Sequence, residues 1–390
     1  MSSNQLEAPL RKLMGPGPLD IHPRVYQALT KPVIGHLDPA YLKTLDHIGE
    51  LLRNVFATQN RLTHATPGTG TSGMEACVAN LVEPGDAVLV CVNGYFSDRI
   101  RQMMERQEAE ITVLEGEWGT PADPERVKAE LDKRAYKVMG LVHAETSTGV
   151  LQPMDEISRL AKEYGVMLLL DTVTSLGGID VKADEWGLDA AYSCSQKCIG
   201  APPGLAPVTF SDRALEAAGN RKHPIRSWYL DITLLDKYWG ADRVYHHTSS
   251  STLNYALLEA LQLIEEEGLQ NRFARHLKNH TALVAGVEAM GLQMLVKPEY
   301  RLPTLNTVRI PDGIEDMKVR SYLLKSFNLE IGGGLGALAG KVWRVGLMGY
   351  SSSAENVLFF LSAISRALDV QGFKTDLSSG IAAAMSIVED

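Results

Sequence analysis

Short apolar segments alternate with amphipathic segments along the middle of this chain. The apolar runs have the length of buried strands, and the stretches at 124–131 and 154–163 between them carry helical periodicity. Such alternation is typical of an α/β fold, in which helices cover both faces of a parallel sheet. The predicted strands are residues 87–92, 111–114, 138–142, 167–170, 190–193 and 206–210.

The pattern changes after residue 253. Long helical periodicity at 253–267 and 269–290 is followed by shorter mixed elements at 304–310 and 341–348. A chain of 390 residues is long enough for two domains. We therefore predict an N-terminal extension at 1–10, a large domain at 11–270 and a smaller C-terminal α/β domain at 271–390.

Charge and cysteine content narrow the class of protein. The 38 basic and 47 acidic side chains give a net charge of -9 without a long run of like charge, which argues against nucleic-acid or membrane partners. The cysteines have no C-x-x-C spacing, so neither a disulfide framework nor a zinc site is indicated. Residues 1–7 do not resemble a secretory signal and no apolar run is long enough to span a membrane, so we expect a cytoplasmic protein.

Lys197 stands in the small, apolar and stiff segment 195–204, just after a predicted strand, and the strand before that one ends in Asp171. Considered alone, Lys197 would be interpreted as a solvated surface charge, and Asp171 as a carboxylate that caps a turn. Together they place an amine and a carboxylate at one edge of the sheet, where desolvation can make the amine nucleophilic. The pair predicts a pyridoxal phosphate site, with a lysine for the Schiff base and an acid for the pyridinium nitrogen.

Residues 68–73, GTGTSG, match the G-x-G-x-x-G pattern of dinucleotide-binding folds. That pattern needs a strong preceding strand and an acidic residue at the end of the next one. Residues 62–67 do not indicate such a strand, and the next acidic residues, Glu83 and Asp86, belong to a turn. Glycines and threonines that open a helix at 72–81 instead predict a site for a single phosphate; the alternative is a plain helix start.

Five segments of the chain match the motifs of a known family: residues 15–18, 68–73, 143–153, 195–204 and 340–346. They resemble the class V pyridoxal phosphate aminotransferases, and more narrowly their alanine/serine-glyoxylate branch. The resemblance runs over nearly the whole chain in matching order. It implies fold type I of these enzymes, with a mainly parallel seven-stranded sheet, and a homodimer whose active sites lie at the subunit interface.

The resemblance also implies roles for single residues. Lys197 corresponds to the Schiff-base lysine and Asp171 to the partner of the ring nitrogen. Thr146 corresponds to a hydroxyl that bonds the phenolic oxygen. Phe96 falls where the family stacks an aromatic ring on the cofactor, although without the family it would read as a core aromatic. The other cofactor contacts implied are Thr69, Gly70, Thr71, Val173 and Gln196, with Tyr245 and Thr248 reaching into the partner subunit.

For the substrate, the resemblance implies Gly17, His36 and Arg344. Arg344 could be an ordinary strand arginine, but its match favours a bidentate grip on the carboxylate of amino and oxo acids. His36 either contacts the substrate or is satisfied within its own turn. The adjacent His246 and His247 do not predict a metal site, because neighbouring side chains are expected to diverge and no third ligand is visible.

The expected activity is transfer of an amino group from alanine or serine to glyoxylate by a ping-pong mechanism, giving glycine and an oxo acid. An alternative is (S)-ureidoglycine-glyoxylate transamination, because residues 348–351 and 379–384 look more like that branch; its usual glutamine and asparagine are here His36 and Tyr245. Cysteine desulfuration is disfavoured because every cysteine precedes residue 199. A nicotinamide-dependent dehydrogenase using residues 68–73, or a binding role without catalysis, are further alternatives.

Overall fold

The computed structural model describes residues 8–389, so the predicted extension at 1–10 lies outside the described residues except for its last three. The strands within the described range are β1 (Lys12–Leu13), β2 (Leu62–Pro67), β3 (Ala87–Val92), β4 (Glu110–Glu115), β5 (Val138–Val142), β6 (Ala144–Glu145), β7 (Val150–Leu151), β8 (Met167–Asp171), β9 (Ala190–Tyr192), β10 (Leu205–Phe210), β11 (Leu305–Arg309), β12 (Leu329–Glu330), β13 (Gly332–Gly333) and β14 (Val342–Gly346).

The α-helices in the same range account for the amphipathic stretches of the sequence. They are α1 (Pro23–Ala28), α2 (Pro39–Phe56), α3 (Gly70–Leu81), α4 (Tyr95–Arg106), α5 (Pro124–Leu131), α6 (Asp155–Glu163), α7 (Ala183–Trp186), α8 (Asp212–Gly219), α9 (Ile232–Trp239), α10 (Ser251–Glu267), α11 (Leu269–Ala289), α12 (Asp316–Phe327), α13 (Ala354–Asp369) and α14 (Leu377–Val388). Among these helices none is both long and apolar enough to cross a membrane.

Seven strands form one sheet in the order β2-β10-β9-β8-β5-β3-β4. Strand β10 is antiparallel to its neighbours β2 and β9, and the other neighbouring pairs are parallel. The predicted mainly parallel, seven-stranded sheet is therefore confirmed. Strands β5 and β8 are buried along their whole length, which explains why they appear in the sequence as continuous apolar runs.

Helices cover both faces of this sheet. One face is packed by α2, α5, α6 and α10 through side chains such as Leu52 and Leu257. The other is packed by α3, α4 and α8 through side chains such as Val78 and Ile100. The sheet is packed between two apolar layers, so side chains that follow its strands are held in defined positions at its carboxyl edge.

The interpretation of residues 62–67 is wrong, because they form the edge strand β2. The segment looks weak as a strand because it contains Thr63, His64 and Thr66, yet all three are buried. Most of their polar atoms are paired inside the fold: the Thr63 hydroxyl lies 2.8 Å from that of Thr209, and His64 Nε2 lies 3.1 Å from Thr66 Oγ1. Only His64 Nδ1 among their side-chain polar atoms is buried without a partner within residues 8–389. Since β2 pairs antiparallel with β10, the unit is still not the parallel βαβ unit of a dinucleotide fold.

A smaller antiparallel sheet, β11-β14-β13, lies in the C-terminal part of the chain. Helices α11 to α14 pack around it with a core that includes Leu283, Trp343 and Phe360. Helix α11 begins at Leu269, close to the predicted boundary at residue 270, and the division into domains stays a prediction.

The N-terminal segment joins this C-terminal part rather than the large sheet. Lys12 pairs with Leu329 in the parallel ladder between β1 and β12, and the Gly346 N–H donates to the Met14 carbonyl at 2.8 Å. This docking carries residues 16 and 17, which follow directly, to the carboxyl edge of the large sheet.

Candidate active site

Lys197 and Asp171 line one cavity of 260 Å³ at the carboxyl edge of the large sheet. Asp171 is the last residue of β8, and Tyr192, its ladder partner, is the last residue of the adjacent parallel strand β9. Lys197 follows β9 by five residues, in the turn segment that leads to β10. The amine and the carboxylate therefore come from neighbouring strands, as the sequence predicts.

Asp171 is a buried carboxylate, 2% exposed, held by two donors. Tyr192 Oη donates to Oδ2 at 2.5 Å, and the Val173 N–H donates to Oδ1 at 2.8 Å. Burial nevertheless raises the pKa of Asp171 to about 7, and the nearby carboxylate of Glu145 acts in the same direction. A positive group in the cavity would restore the ionised form.

Lys197 is also buried, 7% exposed, and its Nζ donates to the Pro16 carbonyl. Burial lowers the pKa of Lys197, and the positive charge of Arg344 lowers it further. Gly17 lies against the side chain with φ +104°, and a Cβ there would come within 2.8 Å of Lys197 Cδ and Cε. Only glycine combines this left-handed backbone with such a close approach.

A candidate anion site lies at the start of α3, beside these residues. Thr69 precedes the helix without capping it through its side chain, and within residues 8–389 the N–H groups of Gly70 and Thr71 have no acceptor. Gln196 adds an amide donor beside them, because its Nε2 has no acceptor within residues 8–389; its Oε1, which can only accept, is buried without a donor there. Free helix amides, two threonine hydroxyls and an amide side chain suit a phosphate.

Arg344 comes from β14 of the small sheet and reaches the same cavity. Its Nε donates to the Gly333 carbonyl at 2.8 Å and its Nη1 to the Thr146 carbonyl at 3.1 Å, which leaves Nη2 without an acceptor within residues 8–389. Burial lowers the pKa of Arg344 to about 10, so the guanidinium remains charged at neutral pH. Thr146 Oγ1 lies in the cavity wall, 2.5 Å from Thr174 Oγ1.

Six residues that line the cavity were not predicted as site residues: Pro16, Met74, Arg99, Tyr192, Cys194 and Leu335. Arg99 lies three residues after Phe96 on α4, with its Cζ 5.0 Å from the Phe96 ring centroid, and donates to Thr71 Oγ1 at 3.2 Å. That helical spacing was a usable signal, because residues three apart share a face. Tyr192 offered no local signal, since its contact with Asp171 depends on strand register. Phe96 and Val173 also line the cavity.

Three predicted site residues, His36, Tyr245 and Thr248, do not line this cavity. The rings of His36 and Tyr245 pack together with centroids 5.0 Å apart, and Tyr245 is 56% exposed. The expectation that His246 and His247 diverge is wrong, because their Nδ1 atoms lie 2.8 Å apart. The irregular backbone after α9 turns the two rings towards each other, as a regular strand would not.

Comparison with known proteins places this geometry in a family. The family model for class V aminotransferases matches residues 27–357. The alanine–glyoxylate aminotransferase of Drosophila melanogaster is 40% identical, with 96% of each chain covered. Two solved structures superpose closely: the ureidoglycine-glyoxylate aminotransferase of Bacillus subtilis (TM-score 0.97, 39% identity, 99% of this chain and 100% of that one) and the alanine–glyoxylate aminotransferase of Nostoc sp. (TM-score 0.93, 50% identity, 94% and 98%).

The fold is fold type I of the pyridoxal phosphate-dependent aminotransferases, as the resemblance implies. The chain belongs to the class V aminotransferase family, and it is an aminotransferase. That family depends on pyridoxal phosphate. The cavity fits the cofactor, because it joins unpaired helix amides to a buried carboxylate and a buried lysine.

Proposed function

We propose that this protein is a pyridoxal phosphate-dependent transaminase that moves the amino group of alanine or serine to glyoxylate, giving glycine and an oxo acid. The observation that carries the proposal is the single cavity in which Lys197, Asp171 and Arg344 meet. The alanine–glyoxylate aminotransferases among the relatives support alanine as donor and glyoxylate as acceptor.

The cavity residues divide the work of holding the cofactor. The amides of Gly70 and Thr71, with Gln196 and the hydroxyls of Thr69 and Thr71, would bind its phosphate, and Asp171 would pair with its ring nitrogen. Pyridoxal phosphate, when bound, supplies an electron sink for the negative charge that develops at the substrate α-carbon. The remaining cofactor contacts in the proposal are Phe96, Thr146, Val173 and the covalent link through Lys197.

The chain's own groups then bind the substrate and move its proton. The free Nη2 of Arg344 is available for the substrate carboxylate, while the bonds from Nε and Nη1 to backbone carbonyls keep the guanidinium in place. Lys197 would take the proton from the substrate α-carbon as general base and, as general acid, would deliver it to the C4′ carbon of the cofactor. Burial, which lowers the pKa of Lys197, favours its base form. Gly17 leaves room for this side chain beside the Pro16 carbonyl.

The proposal includes a homodimer with shared active sites. Tyr245 and Thr248 lie outside the cavity of their own chain, and large apolar side chains around that segment are exposed, among them Val33, Trp228 and Val244. A second copy would cover this apolar surface and bring Tyr245, Thr248 and His36 to the neighbouring cavity.

A second candidate function is transamination from (S)-ureidoglycine to glyoxylate. The TM-score of 0.97 to the Bacillus subtilis ureidoglycine-glyoxylate aminotransferase favours it. Against it, two aromatic side chains, His36 and Tyr245, stand where that branch carries glutamine and asparagine, and they pack against each other. An aromatic pair offers a ureido group fewer hydrogen bonds than two amides would.

The deciding experiment is a donor screen with purified protein, using alanine, serine and (S)-ureidoglycine with glyoxylate or pyruvate as acceptor. The proposal expects a yellow protein whose visible band is erased by borohydride, highest kcat/KM with alanine or serine and glyoxylate, and parallel initial-rate plots. A preference for ureidoglycine would establish the second candidate instead. A colourless protein with NADH-dependent activity would contradict both. Cytoplasmic localisation stays a prediction, which cell fractionation would test.

A further inference from the structure

Glu145 is a buried carboxylate, 1% exposed, next to the cavity but outside its wall. Within residues 8–389 its side chain has no salt-bridge partner. Its carboxylate instead accepts hydrogen bonds from two short segments, one on each side of the site. Oε1 accepts from the Ser147 N–H at 3.0 Å and the Ser147 hydroxyl at 2.6 Å, and Oε2 accepts from the Ser97 N–H at 3.0 Å.

These hydrogen bonds cap the N-terminus of α4 with side chains from a distant part of the chain. The Phe96 N–H donates to Glu145 Oε1 at 3.4 Å, and the Tyr95 N–H donates to the Ser147 hydroxyl at 2.9 Å. The first three N–H groups of α4 are thus satisfied by residues about fifty positions later. A carboxylate at this end of a helix is also favoured by the helix dipole.

Two cavity walls depend on this junction. Phe96, on α4, is the aromatic wall, and Thr146, between Glu145 and Ser147, is the hydroxyl wall whose carbonyl accepts from Arg344 Nη1 at 3.1 Å. One carboxylate therefore ties together the segments that carry the ring contact, the hydroxyl and the anchor of the substrate-binding arginine.

We propose that Glu145 is a positioning residue, whose carboxylate sets the place of Phe96 relative to Thr146 and so the shape of the cofactor cavity. This inference rests on the proposed function. In the proposed function Glu145 touches neither substrate nor cofactor. It acts through the positions of Phe96 and Thr146. The position of Phe96 relative to Thr146 must be accurate, because a shift of about 1 Å in an active site can cost about 100-fold in rate.

A substitution at Gly94 would disturb the same contact without changing Glu145 itself. A Cβ at Gly94 would lie 2.4 Å from Glu145 Cγ and Cδ, and 2.7 Å from Oε2. The backbone at Gly94 is extended, so Gly94→Ala introduces a steric push without backbone strain. The substitution displaces the carboxylate while leaving its charge in place.

Glu83 provides a control elsewhere in the fold, and differs from Glu145 in its salt bridge to Lys137 at 3.2 Å. It is similarly buried, 8% exposed, and its Oε1 accepts from the N–H groups of Lys222 and His223 at 2.8 and 2.9 Å. It does not line the cavity. Gly219→Ala controls for Gly94→Ala, because nothing lies within 4 Å of a Cβ at Gly219.

The test compares Glu145→Gln and Glu83→Gln in the full-length protein. We expect Glu145→Gln, but not Glu83→Gln, to speed amide hydrogen exchange at residues 95–97, weaken pyridoxal phosphate binding by about tenfold and change the visible circular dichroism of the bound cofactor. Gly94→Ala should repeat the last two effects and Gly219→Ala should not, so the inference remains testable if Glu145→Gln fails to fold.

The results that overturn the inference are distinct from those that overturn the proposed function. If Glu145→Gln and Gly94→Ala bind the cofactor with wild-type affinity and circular dichroism, Glu145 is only structural, even if exchange at 95–97 quickens. A wild-type protein that binds no pyridoxal phosphate overturns the proposed function, and this inference with it.

Discussion

Tyr192 donates a hydrogen bond of 2.5 Å to Oδ2 of Asp171, its partner in the ladder between β8 and β9. The bond favours the ionised carboxylate, as does the Val173 N–H on Oδ1, whereas burial favours the neutral acid. Burial outweighs the two donors, and the pKa of Asp171 rises to about 7. The carboxylate is therefore prepared for a cationic partner, which the proposed function identifies as the pyridinium nitrogen.

Tyr192→Phe should raise the pKa of Asp171 further, because it removes a donor to the ionised form. We expect the pH midpoint below which pyridoxal phosphate affinity declines to move up by about one unit. Dissociation constants measured from about pH 5 to 9 would show the shift. Tyr136→Phe is the control, since it removes a similar bond, to Thr112 Oγ1 at 3.0 Å, far from the cavity. Equal midpoints in both variants would contradict the role given to Tyr192.

Asp171→Asn should change how the stability of the cofactor-free protein depends on pH. Because the folded pKa of Asp171, about 7, lies above its unfolded value, the stability it contributes is fully present below the unfolded pKa and is lost as pH rises through 7. Over that window wild type should lose up to about 4 kcal/mol relative to Asp171→Asn. Urea titrations at a series of pH values measure this difference. A constant difference would show that Asp171 keeps its ordinary pKa in the fold.

Lys197→Ala should lower kcat by about 1,000-fold or more, because it removes both the covalent link and the proton-transferring group. The visible band that borohydride erases in the wild type should be missing or insensitive. Lys182→Ala, which removes a half-buried lysine paired with Glu185 away from the cavity, is the control and should behave as wild type. Steady turnover by Lys197→Ala would refute the proposed mechanism.

Arg344→Lys should raise KM for both amino and oxo acids by about 30-fold or more, since a lysine cannot keep two backbone bonds and still grip a carboxylate. The visible absorbance of the bound cofactor should change little, because Arg344 is assigned to the substrate. Arg309→Lys, on the adjacent strand β11 but exposed, should leave KM unchanged. A lower kcat with unchanged KM would place Arg344 in the chemical step instead.

Subunit complementation tests the shared active site. Lys197→Ala and the double variant Tyr245→Ala, Thr248→Ala should each have little activity as homodimers, but a heterodimer has one site free of both defects. Random pairing on co-expression makes half of the dimers mixed, so about a quarter of wild-type activity should return. Activity no higher than that of the separate variants would mean that Tyr245 and Thr248 act within their own chain.

Much of the large sheet was predictable because buried parallel strands are marked by local apolar runs. The same apolar runs predicted that Asp171 and Lys197 lie at one edge of the sheet, because residues that follow neighbouring parallel strands meet there. Strand β2 was missed because Thr63 pairs with Thr209 of β10 and Thr66 pairs with His64 within β2, contacts that no hydropathy pattern reveals.

The sequence by itself predicted a lysine paired with an aspartate and a glycine-rich helix start for the chemistry, and the family resemblance added the arginine. The tertiary structure alone decided how they meet. Gly17 reaches Lys197 through the docking of β1 on β12, Tyr192 meets Asp171 through strand register, and Glu145 joins Phe96 to Thr146 across about fifty residues. Local sequence encodes periodicity and strand ends, whereas the desolvation and hydrogen bonding that tune these groups come from partners distant in the chain.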